Sequence, residues 1–184
     1  MRKLLLIIFS LITICMSAQT KSKTEQNNAV TEEQANDGVK ESRKLFLASS
    51  FKDVAKLFAD FTGEELKGKS VTFIPTASIP ESVKFFVSSG RKALEKLGLT
   101  VDELELTQAT GEEIRNKLEK NDYIYITGGN TFFLLQELKK TGADKIIVEQ
   151  IEKGKTYIGE SAGSIIMSPN IEYVKDMDDC RKAP

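Results

Sequence analysis

The stretch Thr156 to Ile166 reads TYIGESAGSII. Gly159, Ser161 and Gly163 fit the spacing G-x-S-x-G between a β-like run and a helix start rich in small residues. On a sharp strand-to-helix turn such a serine projects its Oγ above the sheet, and small neighbours avoid clashes. That is where an acyl-transfer enzyme places a nucleophile. A nucleophile of this kind needs an oxyanion hole, with two backbone N–H donors aimed at one point. The N–H of Ala162 is one natural donor. Gly129, in Gly128-Gly129-Asn130 at the end of another β-like run, is a candidate for the other, since glycine lets a reacting carbonyl come close. A general base and an orienting carboxylate complete the machinery. Asp176, Asp178 and Asp179 follow the serine and offer carboxylates, although a bare cluster of this kind also suits a solvated surface. The 184 residues contain no histidine.

These pieces need a scaffold that gathers strand ends. Strand-like runs at 44–50, 70–78, 100–106, 122–130 and 156–161 alternate with helical patterns at 53–66, 81–98, 111–120, 131–142 and 144–154. Pro75 stops the second run near its carboxyl end, and Gly98 is a plausible helix C-cap. The run 100–106 alternates like a half-buried or edge strand. Strands alternating with helices predict an α/β fold of right-handed βαβ units, a mainly parallel sheet flanked by helices in three layers. Ligands bind beyond the carboxyl ends of such strands. Ser49-Ser50, Thr76 to Ser78, Gly128 to Asn130 and Glu160 to Ser164 all fall at those ends.

Composition narrows the partners. A net charge of -1, with no basic stripe interleaved with aromatics, argues against nucleic-acid binding. Cys15 and Cys180 are too few for a metal site or a disulfide framework. Arg2 and Lys3, then the apolar run Leu4 to Met16 and a small Ala18, predict a secretory signal over 1–18 rather than a membrane span. Residues 19–43 are polar and predict a disordered linker or tether. The folded domain is expected over 44–184. Export to the periplasm or the medium follows from this reading, with a lipid anchor through Cys15 as the alternative.

The segments FIPTAS (73–78), YITGGNTFFLL (125–135), YIGESAGS (157–164) and SPNIEYVKDMDD (168–179) together resemble peptidase E, the aspartyl dipeptidases of serine peptidase family S51. Cyanophycinases share that family. The resemblance spans most of 44–184, with four motifs in the same order. It implies a flavodoxin-like, class I glutamine amidotransferase-like fold. It also implies a Ser-His-Asp/Glu triad acting on small peptides, dipeptides with N-terminal aspartate, without metal or organic cofactor. By position Ser161 matches the nucleophile, Gly129 and Ala162 the oxyanion donors, and Asp176 the acidic triad member. The family histidine lies beyond the position of Pro184, so the resemblance implies a domain truncated at its C-terminus and short of its base. Glu160 stands where enteric members carry an aromatic residue, and the familiar members are cytoplasmic, which makes the cytoplasm the other alternative location. The competing reading is an exported pseudoenzyme or peptide-binding module of the same fold. An amidotransferase with a cysteine nucleophile does not fit, because the turn carries serine and Cys180 is not on it.

Overall fold

Short runs rich in apolar residues form β1 (Leu45–Ala48), β2 (Ser70–Ile74), β4 (Tyr123–Ile126) and β5 (Thr156–Glu160), and the more polar Thr-Val-Asp-Glu forms β3 (Thr100–Glu103). The computed structural model describes residues 42–183, and in it these strands make one parallel sheet in the order β1-β5-β4-β2-β3. The expected signal over 1–18, with the alternative anchor Cys15, and nearly all of the linker over 19–43 lie outside the described residues. No helix among the described residues is long and apolar enough to cross a membrane.

Period-two alternation decides the layers. On one face, Val71, Phe73, Tyr123, Tyr125 and Ile158 pack with Phe51 and Phe58 of α1 (Phe51–Thr62) and Leu94 of α2 (Phe85–Lys96). On the other, Ile74, Ile124, Ile126 and Tyr157 pack with α3 (Gly111–Lys120), α4 (Thr131–Thr141) and α5 (Ala143–Glu152). The two sets match the two directions of travel across the sheet. Through α1 and α2 the chain steps from β1 to β2 to β3; through α3, α4 and α5 it returns to β4 and β5. Right-handed crossovers require opposite faces for opposite directions. The result is the expected three-layer α/β architecture, with β3 on an edge as its alternating pattern predicted.

Element ends differ from the sequence reading for local reasons. The second strand ends at Ile74, because Pro75 has no N–H to donate and Thr76 to Ser78 close into a buried 3-10 turn. The first helix ends at Thr62 rather than continuing to 66, where Gly63 takes the left-handed conformation at φ 65°. The fourth strand ends at Ile126, and residues 127–130 turn at its carboxyl end instead of extending it.

Candidate functional site

Ser161 sits one residue beyond β5, where the partners of that strand also end. Ala48 is opposite Glu160 on one side and Ile126 opposite Gly159 on the other. It opens α6 (Ala162–Ile165) with φ 50° and ψ -109°, and among the described residues it is the only non-glycine residue at positive φ. A conformation of this kind costs about 1–3 kcal/mol and persists only where the surroundings enforce it. Here they do. Ser161 donates its N–H to the Ala48 carbonyl at 2.8 Å, and its own carbonyl accepts from Ser164 and Ile165. The Ser164 hydroxyl reaches the Gly159 carbonyl at 2.7 Å, and buried Tyr157 donates to the Gly163 carbonyl at 2.6 Å. The turn also needs its glycines. A Cβ on Gly159 would stand 2.6 Å from the Gly163 carbonyl oxygen, and one on Gly163 would overlap the Ile126 carbonyl.

The Gly128-Gly129 loop packs directly against this turn. A Cβ on Gly128 would lie 3.1 Å from the Ser161 Cβ. Gly129 has φ 137°, and a Cβ there would overlap the Ala77 carbonyl. The adjacent Asn130 N–H donates to that same carbonyl at 2.8 Å. Among the described residues, neither the Gly129 N–H nor the Ala162 N–H, at the first position of α6, donates to a protein acceptor. Two unengaged donors therefore flank an exposed hydroxyl.

A cavity of about 590 Å³ opens over Ser161, lined by the ends of β1, β4 and β5, the start of α2 and the segment 177–182. That segment is tied down by α4. Asn130 caps the helix by accepting from the Phe133 N–H at 2.9 Å, and its amide donates to the Asp179 carbonyl at 3.1 Å. The Asp178 carboxylate accepts from the Thr131 N–H at 2.7 Å. Asp179 is paired with Arg181, whose hydrogen bonds hold its carboxyl down at about 2. Of the three aspartates, Asp178 and Asp179 line the cavity. Asp176 is exposed, outside the cavity lining, and its side chain makes no hydrogen bond among the described residues. Replacing Asp178 by alanine removes a helix-terminal acceptor. It is expected to cost about 1 kcal/mol, read as a thermal midpoint about 2–4 °C lower.

Glu160, which the sequence places at a strand end without a role, has defined partners in the structure. It is buried, with 4% of its surface exposed, and it lines the cavity beside Ser161. Its carboxylate accepts from the Phe51 N–H at 2.9 Å and from the Tyr125 hydroxyl at 2.6 Å. Burial first, and then the Glu160 charge, push the Tyr125 hydroxyl far above the ordinary phenol range. Strand parity held the signal, because Glu160 shares a face with Ile158, which packs under α1 and α2. Phe86, from the first turn of α2, also joins the cavity wall. It had no signal beyond its helical spacing.

Comparison with known proteins follows the same outline. A model of peptidase family S51 matches residues 45–184. An uncharacterized peptidase of Listeria monocytogenes is 62% identical over 141 residues, covering 77% of this chain and 68% of that protein. An uncharacterized peptidase of Pasteurella multocida is 56% identical over 142 residues, covering 77% and 68%. Peptidase E of Nostoc sp. is 28% identical over 142 residues, with 74% of this chain and 57% of that protein covered. In three dimensions, the 1.5 Å crystal structure of a candidate peptidase E from Listeria monocytogenes superposes with a TM-score of 0.75 at 62% identity. It covers 77% of this chain and 69% of that one.

Proposed function

We propose that this chain, which belongs to peptidase family S51 and is by that membership a peptide hydrolase, is a serine-type peptidase that acts on dipeptides with N-terminal aspartate. The observation that supports the serine reading most is the backbone of Ser161. An exposed hydroxyl is held at φ 50° over a cavity and flanked by two unengaged N–H groups. A serine that served only to turn the chain would have no need of this strain, and glycine would relieve it.

In this reading, Ser161 Oγ attacks the scissile carbonyl carbon as a histidine removes its proton. The carbonyl oxygen, now negative, is held by the N–H groups of Gly129 and Ala162. The same histidine protonates the leaving amine, and water then releases the acyl group by the reverse sequence. Asp176, assigned by family resemblance, would orient the imidazole, and its exposed carboxylate is accessible to such a partner. The 184 residues hold no histidine, so the base of this mechanism must be supplied by residues other than these.

The test is a chimera in which residues 1–184 are followed by the C-terminal part of the Listeria relative. It is expected to hydrolyse Asp-Leu, and Asp176→Asn in it to lower kcat by about 10⁴-fold. A second reading, a peptide-binding module without chemistry, draws on the absence of histidine. It predicts a chimera that binds Asp-Leu and leaves it intact.

A further inference from the structure

Glu160 combines three properties that its structural partners do not fully explain. It is an acidic residue with 4% of its surface exposed, and it lines the cavity. Its partners among the described residues are an N–H and a phenol hydroxyl, both neutral, and no lysine or arginine forms an ion pair with it. Its oxygens accept one hydrogen bond each, and a carboxylate has acceptor capacity for about four. A buried negative charge without a cation is costly to maintain. The position of Phe51 at the first turn of α1 offsets part of that cost, since helix N-termini favour negative charge. Ser50 provides no side-chain cap there, so Glu160 takes that place. Helix capping alone does not require a charge in this position: a neutral amide oxygen would accept from Phe51 equally well.

The first two turns of α2 pass near both this carboxylate and the nucleophile. Near Phe86, a Cβ on Gly128 would stand 3.7 Å from the Phe86 ring and 3.7 Å from Ser161 Oγ. One turn further on, a Cβ on Gly90 would stand 3.3 Å from Glu160 Oε2. In a peptide with a free amino terminus, the α-nitrogen of the first residue lies about 2.5 Å from its carbonyl carbon. That carbon waits about 3–3.5 Å from an attacking oxygen. A charged hydrogen bond from nitrogen to carboxylate adds about 2.8 Å. Glu160 and Ser161 are adjacent in the chain and line the same cavity, so a chain of atoms of that length can start at one side chain and end at the other. A side chain at Gly90 would strike the Tyr125 hydroxyl that bonds Glu160.

We infer that Glu160 is a specificity-determining residue of this site, whose carboxylate receives the free α-ammonium of the peptide's first residue. This rests on the reading of Ser161 as the nucleophile, and it sets a further condition on the substrate. Peptides with a blocked amino terminus are poorly bound whatever their side chains.

The probes are Asp-Leu, N-acetyl-Asp-Leu and N-acetyl-Lys-Leu, titrated calorimetrically into the 184-residue chain and into its Glu160→Gln variant. The Gln side chain can still accept from Phe51 and donate to the Tyr125 oxygen, so the substitution removes charge and little else. Asp-Leu is expected to bind the unmodified chain about 10- to 100-fold more tightly than N-acetyl-Asp-Leu. In Glu160→Gln that ratio is expected to fall to within about twofold of one. Equal binding of the two aspartyl peptides by the unmodified chain would overturn the inference and leave the peptide site standing. A ratio that survives in Glu160→Gln would do the same. Binding of N-acetyl-Lys-Leu as tight as that of Asp-Leu would overturn the α-ammonium assignment in favour of a basic side chain. Failure of all three peptides to bind at millimolar concentration would remove the peptide-site reading together with this one. Because the comparison among ligands needs only the unmodified chain, it stands even if the variant does not fold.

Discussion

Replacing Ser161 by alanine in the histidine-bearing chimera is expected to lower Asp-Leu hydrolysis about 10⁴- to 10⁶-fold, with the fold intact. The loss of rate follows from removing the only atom that attacks. Preservation of the fold follows from the local contacts. The Ser161 side chain is exposed, and its hydroxyl makes no hydrogen bond among the described residues. Every bond that anchors the turn runs through its backbone, through Ser164 or through Tyr157. A glycine at the same position sharpens the argument. Ser161→Gly should be as inactive as alanine, yet more stable by about 1 kcal/mol, because glycine occupies φ 50° without the strain of a Cβ. Thermal midpoints of the three proteins beside Asp-Leu turnover check both halves. Unchanged turnover in Ser161→Ala would end the nucleophile assignment. A destabilised Ser161→Gly would show that the turn is not under strain.

Much of this site was legible because its parts are local. G-x-S-x-G encodes a turn within five residues, and the glycine pair at 128–129 encodes a close approach within two. The alternation of strand and helix patterns is also local, and it carried the fold. What could not be read were partnerships across long separations. The Glu160 carboxylate bonds the Phe51 N–H across 109 residues, and the Asp178 carboxylate caps Thr131 across 47. No spacing rule links such pairs, since they meet only when β1 and β5 lie side by side and α4 turns its N-terminus toward the last segment. Among Asp176, Asp178 and Asp179 the sequence shows three equivalent charges. The fold separates them into one helix-terminal acceptor, one partner of Arg181 and one exposed side chain with no protein partner among the described residues. That division leaves Asp176 as the aspartate whose carboxylate is uncommitted.

Gly129→Ala is expected to damage stability and catalysis together. At φ 137° an L-residue is strained by about 1–3 kcal/mol. The added Cβ also falls on the Ala77 carbonyl, a backbone atom that cannot swing aside. Overpacking against a fixed group adds about 1–3 kcal/mol more. Against a typical stability of about 5–15 kcal/mol, the variant should remain folded at low temperature with a markedly lower denaturation midpoint. Relief can come only by moving the 128–130 loop away from Ala77. That movement breaks the 2.8 Å bond from Asn130 to the Ala77 carbonyl and displaces the Gly129 N–H, the proposed second oxyanion donor. Loss of one oxyanion donor costs about 10²- to 10³-fold in kcat. The chimera with Gly129→Ala should therefore show that drop at temperatures where circular dichroism still reports a folded protein. Ala162→Gly, at the other donor, leaves its N–H in place and should keep kcat within a few-fold. If Gly129→Ala loses stability but retains kcat, the second oxyanion donor is not Gly129. The glycine would then be explained by its approach to Ala77 alone.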